Sequence, residues 1–278
     1  MTAEEPRRIT GHAPLPDGGW LAYEVLRGSD DTRPLLLHRP LGGTTALWGP
    51  FREALSGRFR VISFDPRGVG HSSEARPLTT TLGMAEDALA LLAHLGLESA
   101  HIFGLSLGGM VAMRIATIAP WRIDKLILAS TTDRGITVSG AGARRGLSFA
   151  RCFTKAGSHV EACIARRILS RRFHEERRDE VSRIDALIHE TPTSRANLLK
   201  LVAAAARHDA RADLHRIKSP TLVLAAKDDP LLDIESQFAL AQRIPNAVFD
   251  VISPSGHDMS LEQPVATAAR VAEFLLGS

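Results

Sequence analysis

The residues of this chain best suited to chemistry are a serine between two glycines, a pair of adjacent aspartates and a histidine near the C-terminus. The serine lies in Ile102-Phe103-Gly104-Leu105-Ser106-Leu107-Gly108-Gly109-Met110. An apolar run from Ala100 reads as a buried strand, and Met110 to Ile118 has helical spacing. A Gly-x-Ser-x-Gly at a strand-to-helix junction forms a tight turn that projects the serine hydroxyl above the sheet, as a nucleophile elbow does. Gly104 and Gly108 lack Cβ atoms, so strand and helix can pass close to the serine. The N–H of Leu107, at the helix N-terminus, can face a developing oxyanion.

Acyl transfer by a serine needs a base for the hydroxyl proton, a group that orients the base, and donors for the oxyanion. Asp228-Asp229 follow the apolar run Thr221 to Ala225, and Ser255-Gly256-His257-Asp258 follow the run Val248 to Ile252. Both loops follow strands, so in a parallel sheet both fall at the carboxyl edge, where sites assemble. Asp229 and Asp228 are both candidates for the acid, with Asp124 a remote third. The unused one of the pair reads as a turn-forming or capping carboxylate.

The elements that must position these residues alternate. Arg7 to His12 and Trp20 to Leu26 read as an edge hairpin around Pro16-Asp17-Gly18-Gly19. A polar break from Gly28 to Arg33 precedes the central strand Leu35 to His38 and the non-helical loop Arg39-Pro40-Leu41-Gly42-Gly43. A helix is expected over Thr45 to Leu55, a strand over Phe59 to Phe64, a helix over Thr79 to Leu95, and a strand over Lys125 to Ala129. This rhythm predicts an α/β fold with a mostly parallel sheet flanked by helices. It breaks between about Thr131 and Arg216, an Ala- and Arg-rich stretch of helical spacing that reads as an inserted α-helical cap. The expected organisation is a core domain of residues 1–131 and 216–278 around a cap of residues 132–215. A helix at Ile234 to Arg243 and another at Val265 to Leu276 complete the chain.

Composition narrows the function classes. The chain has 278 residues, 44% hydrophobic and 23% charged, with a net charge of +3. That is ordinary for a globular protein, and a core of this size needs no disulfide or metal staple. Cys152 and Cys163 have no metal-type spacing and are expected as reduced thiols. Met1 to Thr10 has no apolar segment of the signal-peptide kind, and no run reaches the roughly 18 apolar residues needed to cross a bilayer. A soluble cytoplasmic protein is expected. Arginines cluster at Arg144, Arg145, Arg151, Arg166, Arg167, Arg171, Arg172, Arg177 and Arg178, but Glu175, Glu176, Asp179 and Glu180 interleave with them. The run lacks aromatic residues at base-stacking intervals, so it reads as an ion-paired helical face rather than a nucleic-acid surface. His71 sits in the Gly-rich turn and His94, His101, His208 and His215 have no partner pattern, so these and His38 read as surface or satisfied core histidines rather than catalytic ones. No metal or cofactor motif is present.

Taken together, these motifs resemble the α/β-hydrolase superfamily, in its esterase and enol-lactonase-like branch, over nearly the whole chain. Asp65-Pro66-Arg67-Gly68-Val69-Gly70-His71-Ser72 is similar to the family's Asp-x-Arg-Gly-x-Gly-x-Ser segment. Pro220-Thr221-Leu222-Val223-Leu224 before the acid, and Gly256-His257 with Glu262-Gln263-Pro264, look like family motifs too. The resemblance implies Ser106 as nucleophile, His257 as general base and acid, and Asp229, ahead of Asp228, as the orienting carboxylate. It implies an oxyanion hole from the N–H groups of Leu107 and of a residue after Leu37. The family's His-Gly-x is replaced here by His38-Arg39-Pro40-Leu41-Gly42-Gly43, shifted or lengthened by one residue. Pro40 has no N–H and cannot donate; Leu41, just before the glycine pair, is the residue matched to the second donor that the resemblance implies. The activity implied is cofactor-free cleavage of a small-molecule carboxylic ester or lactone through an acyl-enzyme. A thioesterase acting on an acyl-carrier protein or coenzyme A thioester, a lyase or haloperoxidase, and a non-catalytic ligand-binding protein are the alternatives.

Overall fold

The central strands form where apolar residues run without interruption and are covered on both faces, whereas the two edge strands are partly exposed. In the computed structural model, which describes residues 7–27, 33–135, 151–154 and 160–277, eight strands make one sheet in the order β1-β2-β4-β3-β5-β6-β7-β8. They are β1 (Arg7–Pro14), β2 (Trp20–Arg27), β3 (Pro34–His38), β4 (Arg60–Phe64), β5 (Ala100–Leu105), β6 (Ile123–Ala129), β7 (Thr221–Ala226) and β8 (Ala247–Ile252). β1 and β2 pair antiparallel as the expected edge hairpin, and β2 runs antiparallel to β4. All remaining pairs are parallel.

Alternation along the central strands divides the core in two. Leu36, Ile62, Ile102 and Val223 face one side, with residues of α2 (Thr81–His94), α3 (Leu107–Ile118) and α8 (Ile234–Arg243). Leu35, Leu37, Val61, Phe103 and Leu222 face the other, with α1 (Gly49–Ser56) and α10 (Pro264–Leu276). Successive side chains of a strand point to opposite faces, so a doubly covered strand must be apolar throughout.

β3 lies between β4, which follows it in the chain, and β5, from which the chain proceeds outward in the other direction. The strand order therefore reverses between β3 and β5. A crevice opens at the carboxyl ends of strands at such a point. His38 ends β3 and Leu105 ends β5.

Between β6 and β7 the described residues hold no strand of the sheet; they include the helical residues 151–154, α4 (Val160–Ile168), α5 (Arg171–Glu176), α6 (Arg178–Glu190), α7 (Arg195–Ala206) and a 3-10 turn at Leu214–Arg216. Leu47 packs with Ala162, Leu169, Phe173, Ile184 and Ile188 of this segment. Leu41 packs against a second small cluster of Cys152, Val160, Ile164 and Leu198. The helical segment thus rests on the chain that follows β3. No helix among the described residues is long and apolar enough to cross a membrane.

Two expectations need correction. Cys152 and Cys163 are joined in a disulfide, with Cα atoms 5.6 Å apart, rather than standing as free thiols. Helical packing brings the pair together over only 11 residues, within the range a bridge spans. The single helix expected over Thr45 to Leu55 is broken, a 3-10 turn at Thr45–Trp48 preceding α1, because Gly49 takes a positive φ of 31°. Arg144 and Arg145, most of the Gly28 to Arg33 break and the first six residues of Met1 to Thr10 lie outside the described residues.

Candidate active site

Ser106 joins β5 directly to α3 with φ 57° and ψ −116°, a conformation that a non-glycine residue adopts only under constraint. The constraints are visible. Its N–H donates to the Ala129 carbonyl at 2.9 Å, and its own carbonyl accepts from Gly109 N–H at 2.9 Å and from Thr131 Oγ1 at 2.7 Å. A Cβ at Gly104 would lie 2.3 Å from the Gly108 carbonyl oxygen, and one at Gly108 would lie 2.2 Å from that of His38. Glycine at both places lets the start of α3 press against the ends of β5 and β3.

That second approach brings Leu107 close to the Arg39–Gly43 loop. Pro40 to Gly43 form a turn closed by Gly43 N–H to the Pro40 carbonyl at 3.1 Å, and Gly42 has φ 74°. A type II turn requires such a residue at its third position. Leu41 therefore stands at the turn's corner.

Asp229 and His257 follow β7 and β8, at the same carboxyl edge as Ser106. His257 Nδ1 and Asp229 Oδ2 are 2.8 Å apart, with the His257 side chain 2% exposed and that of Asp229 fully covered. The other oxygen of Asp229 accepts from Leu231 and Leu232 N–H at 2.8 and 3.0 Å, which fixes the carboxylate. Burial pushes the His257 pKa down, but the Asp229 carboxylate, its hydrogen bond and the charge of Asp258 more than compensate, and the net shift is upward. Among the described residues, the buried Nε2 of His257 has no hydrogen-bond partner. Asp228 is exposed and contributes its backbone N–H to the Ser255 carbonyl. Asp124 accepts from Ser99 Oγ near the start of β6, at the opposite edge of the sheet.

Several other histidines lie away from this pair. His38 is buried against the edge of Phe64, with its pKa lowered by burial to about 4. His101 and His208 are likewise lowered by burial to about 4, His208 beside Thr81 Oγ1. His94 packs on Tyr23. Of the arginine run, Arg166, Arg171 and Arg172 pair with Asp185, Glu175 and Glu176 on exposed helix faces. No group of three or more potential metal ligands occurs among the described residues.

Sequence reasoning missed four charged residues that frame the site. Arg39 and Asp258 form a buried ion pair at 2.7 Å, with Arg39 also donating to Ser260 Oγ and lying over the Trp48 ring at 4.6 Å. Glu262 accepts from Ser170 and Gly256. Glu161 accepts from Thr193 N–H at 2.7 Å, while Thr193 Oγ1 donates to the Gly42 carbonyl at 3.2 Å. The only local signal for Arg39 and Asp258 was a charge placed directly after an apolar strand or the candidate histidine. Nothing local signals Glu161.

Comparison with known proteins agrees with this architecture. A family model described as alpha/beta hydrolase fold matches residues 33–264. A relative from Caulobacter sp. (strain K31), named "Putative carbamate hydrolase RutD", is 31% identical and covers 92% of this chain and 96% of its own. The poly(3-hydroxyalkanoate) depolymerase of Ectopseudomonas oleovorans is 32% identical over 90% of this chain and 87% of its own. The crystal structure of the enol-lactonase from Burkholderia xenovorans LB400 superposes with a TM-score of 0.84 at 25% identity, covering 95% of this chain and 99% of that one. With its elbow at the strand-order reversal and its sheet and helices in this arrangement, the chain belongs to the alpha/beta hydrolase fold family and is a hydrolase.

Proposed function

We propose that the chain is a serine hydrolase that cleaves a small carboxylic ester or lactone through an acyl-enzyme. Ser106 is the nucleophile, His257 the general base and then acid, and Asp229 the carboxylate that orients it. The core of residues 1–131 and 216–278 supplies the chemistry, and the helical segment 132–215 caps it. The observation that carries the reading is the buried His257–Asp229 pair, with Nε2 left unpartnered at the sheet edge that also bears the strained Ser106. Asp229 accepts the Nδ1–H, which leaves the lone pair of the neutral ring on Nε2.

In the first step the Ser106 Oγ–H proton passes to His257 Nε2 while Oγ bonds to the acyl carbon. The carbonyl electrons move onto oxygen, which faces the N–H groups of Leu41 and Leu107. Collapse expels the alkoxide, which takes the proton from His257. Water then gives its proton to Nε2 and attacks the acyl-enzyme, and the acid leaves as Ser106 regains its proton. The chemistry needs only these side chains.

A small cavity beside the Pro40–Gly43 turn is lined by Leu41, Ile164 and Ile188 and also by Arg39, Glu161 and Asp258, with neither Ser106 nor His257 in its wall. Arg166, Arg171, Arg172 and Arg183 are already ion-paired, which weakens their pull on an acidic carrier protein. A second reading, a carbamate as the acyl donor, is favoured by the name of the Caulobacter relative and by its coverage of 92% of this chain. Hydrolysis of nitrophenyl esters, enol lactones, acyl thioesters and aryl carbamates, each with Ser106→Ala alongside, tests both. Ester or lactone turnover that vanishes in the variant is expected. Turnover that survives it would overturn the serine mechanism, and preference for the carbamate would select the second reading.

A further inference from the structure

The loop that carries His257 is bonded to the helical segment through two neighbouring residues. His257 N–H donates to the Ile168 carbonyl at 2.9 Å, at the end of α4. Gly256 N–H donates to Glu262 Oε2 at 3.0 Å. The same carboxylate accepts from Ser170 N–H through Oε1 and from Ser170 Oγ–H through Oε2, both at 2.6 Å. Ser170 Oγ in turn accepts from Phe173 N–H at 3.1 Å and so caps α5.

These three chain segments converge closely. A Cβ at Gly256 would lie 2.4 Å from Glu262 Oε1, 2.5 Å from the Ser170 nitrogen and 3.0 Å from the Ile168 oxygen. Glu262 closes α9 (Met259–Glu262), whose first turn begins at Asp258, the residue after His257. Its N–H returns to the Asp258 carbonyl at 3.1 Å. The Glu262 side chain thus folds back over the histidine loop and holds the helical segment from the other side. Gly256 N–H, Ser170 N–H and Ser170 Oγ–H all donate to its two oxygens, while burial and the charge of Asp258 push the Glu262 pKa up against these bonds. A side chain used only to fill this volume would not need a carboxyl, and at 6% exposure a carboxyl is costly unless its oxygens are bonded as they are here.

We infer that Glu262 is a positioning residue through which the helical segment sets the placement of the His257 ring. The inference rests on the reading of Ser106, His257 and Asp229 as a catalytic triad. Glu262 touches no reacting atom. It fixes Gly256, and with it the backbone from which the imidazole reaches toward Ser106.

The decisive variant is Glu262→Gln, compared with wild type at a temperature where both are folded. Active sites are counted by labelling with a fluorophosphonate, with Ser106→Ala as the blank. In the variant the amide NH2 meets donors, the clamp opens, and kcat per labelled site is expected to fall about tenfold to a hundredfold. KM for a short-chain ester should change less than about threefold, because binding precedes the misplaced proton transfer. The labelling rate should fall in parallel. Ser170→Ala removes one of the three bonds, so a smaller loss of kcat is expected, and the double variant should be no slower than Glu262→Gln alone. An unchanged kcat per labelled site in Glu262→Gln, even with a lower Tm, overturns the inference, as does an additive double variant. Should Glu262→Gln fail to fold, Ser170→Ala decides by the same measure. Absence of labelling in the wild type would instead strike the triad reading itself, so the two failures are told apart.

Discussion

Arg39 and Asp258 lie 219 residues apart in the chain and form an ion pair at 2.7 Å with side chains 2% and 0% exposed. One follows the strand that ends beneath the Pro40–Gly43 turn, and the other follows His257. The pair therefore links the loop proposed to supply an oxyanion donor to the loop proposed to supply the base. Burial presses the Arg39 pKa down, and the Asp258 charge and hydrogen bond oppose it. Ser260 Oγ, which donates to Asp258 Oδ1 at 2.6 Å and accepts from Arg39, completes a closed set.

Such a pair is expensive to break from one side. Asp258→Asn should destabilise the fold by about 3–5 kcal/mol, since it leaves the Arg39 charge buried without its counter-ion. Replacing both by apolar residues, as in Arg39→Met with Asp258→Leu, should recover most of that stability. It should not recover kcat, because nothing then fixes the spacing of the two loops. Urea unfolding and ester turnover on the three proteins check this, and a fully active double variant would contradict it.

Asp229 and Asp228 are adjacent in sequence but face different surroundings, one against His257 and one in solvent. Asp229→Asn should lower kcat by about 10⁴-fold, because the imidazole loses the acceptor that fixes its tautomer. Asp228→Asn should stay within about twofold of wild type. The pH profile gives a second readout. Activity needs neutral His257, whose pKa Asp229 raises, so the acidic limb of kcat/KM should move to lower pH in Asp229→Asn. A limb that stays in place would assign it to another group.

The parts of the molecule that could be read from sequence were those with a local physical signature. Gly104 and Gly108 announced the Ser106 turn because their spacing matches the steric demand, and apolar runs announced doubly covered strands. His257 and Asp229 were legible as polar residues placed just beyond such runs. The Arg39–Asp258 pair and the Glu262–Ser170 bond, 92 residues apart, were not. Each half looks like an ordinary surface polar residue until the fold brings the two together. The Cys152–Cys163 bridge was missed for a similar reason, since helical packing rather than spacing sets which thiols meet. The break before α1 turned on a single backbone angle at Gly49.

Glu161, 7% exposed, has its pKa pushed up by burial to about 7 from an ordinary 4.5, with Thr193 opposing the shift. A carboxyl that holds its proton more tightly when folded adds stability fully below its unfolded pKa, and that contribution is lost as pH rises through about 7. Glu161→Gln keeps an oxygen for Thr193 N–H and never ionises. The variant should match wild type near pH 5 and exceed it near pH 8, by at most about 3 kcal/mol. Chemical denaturation at the two pH values measures the difference. A variant no more stable at pH 8 would show that Glu161 does not titrate in this range.

The disulfide gives the helical segment a covalent tie beneath α7, where Cys152 is fully buried and Cys163 packs beside Val160, Ile164 and Leu198. With ligation over 11 residues, its loss should cost about 2–3 kcal/mol in the unfolding of that segment. Leu41 packs on the same cluster, so loosening it should also raise KM more than it lowers kcat. Thiol titration under denaturing conditions should find no free thiol until reductant is added, and then two. The same assay on protein taken directly from its native compartment addresses the expected cytoplasmic setting. A bridge of this kind persists in an oxidising environment and is kept reduced where glutathione and thioredoxin act. Two thiols in the native material, with activity unaltered by later oxidation, would mean the tie plays no part in holding Leu41.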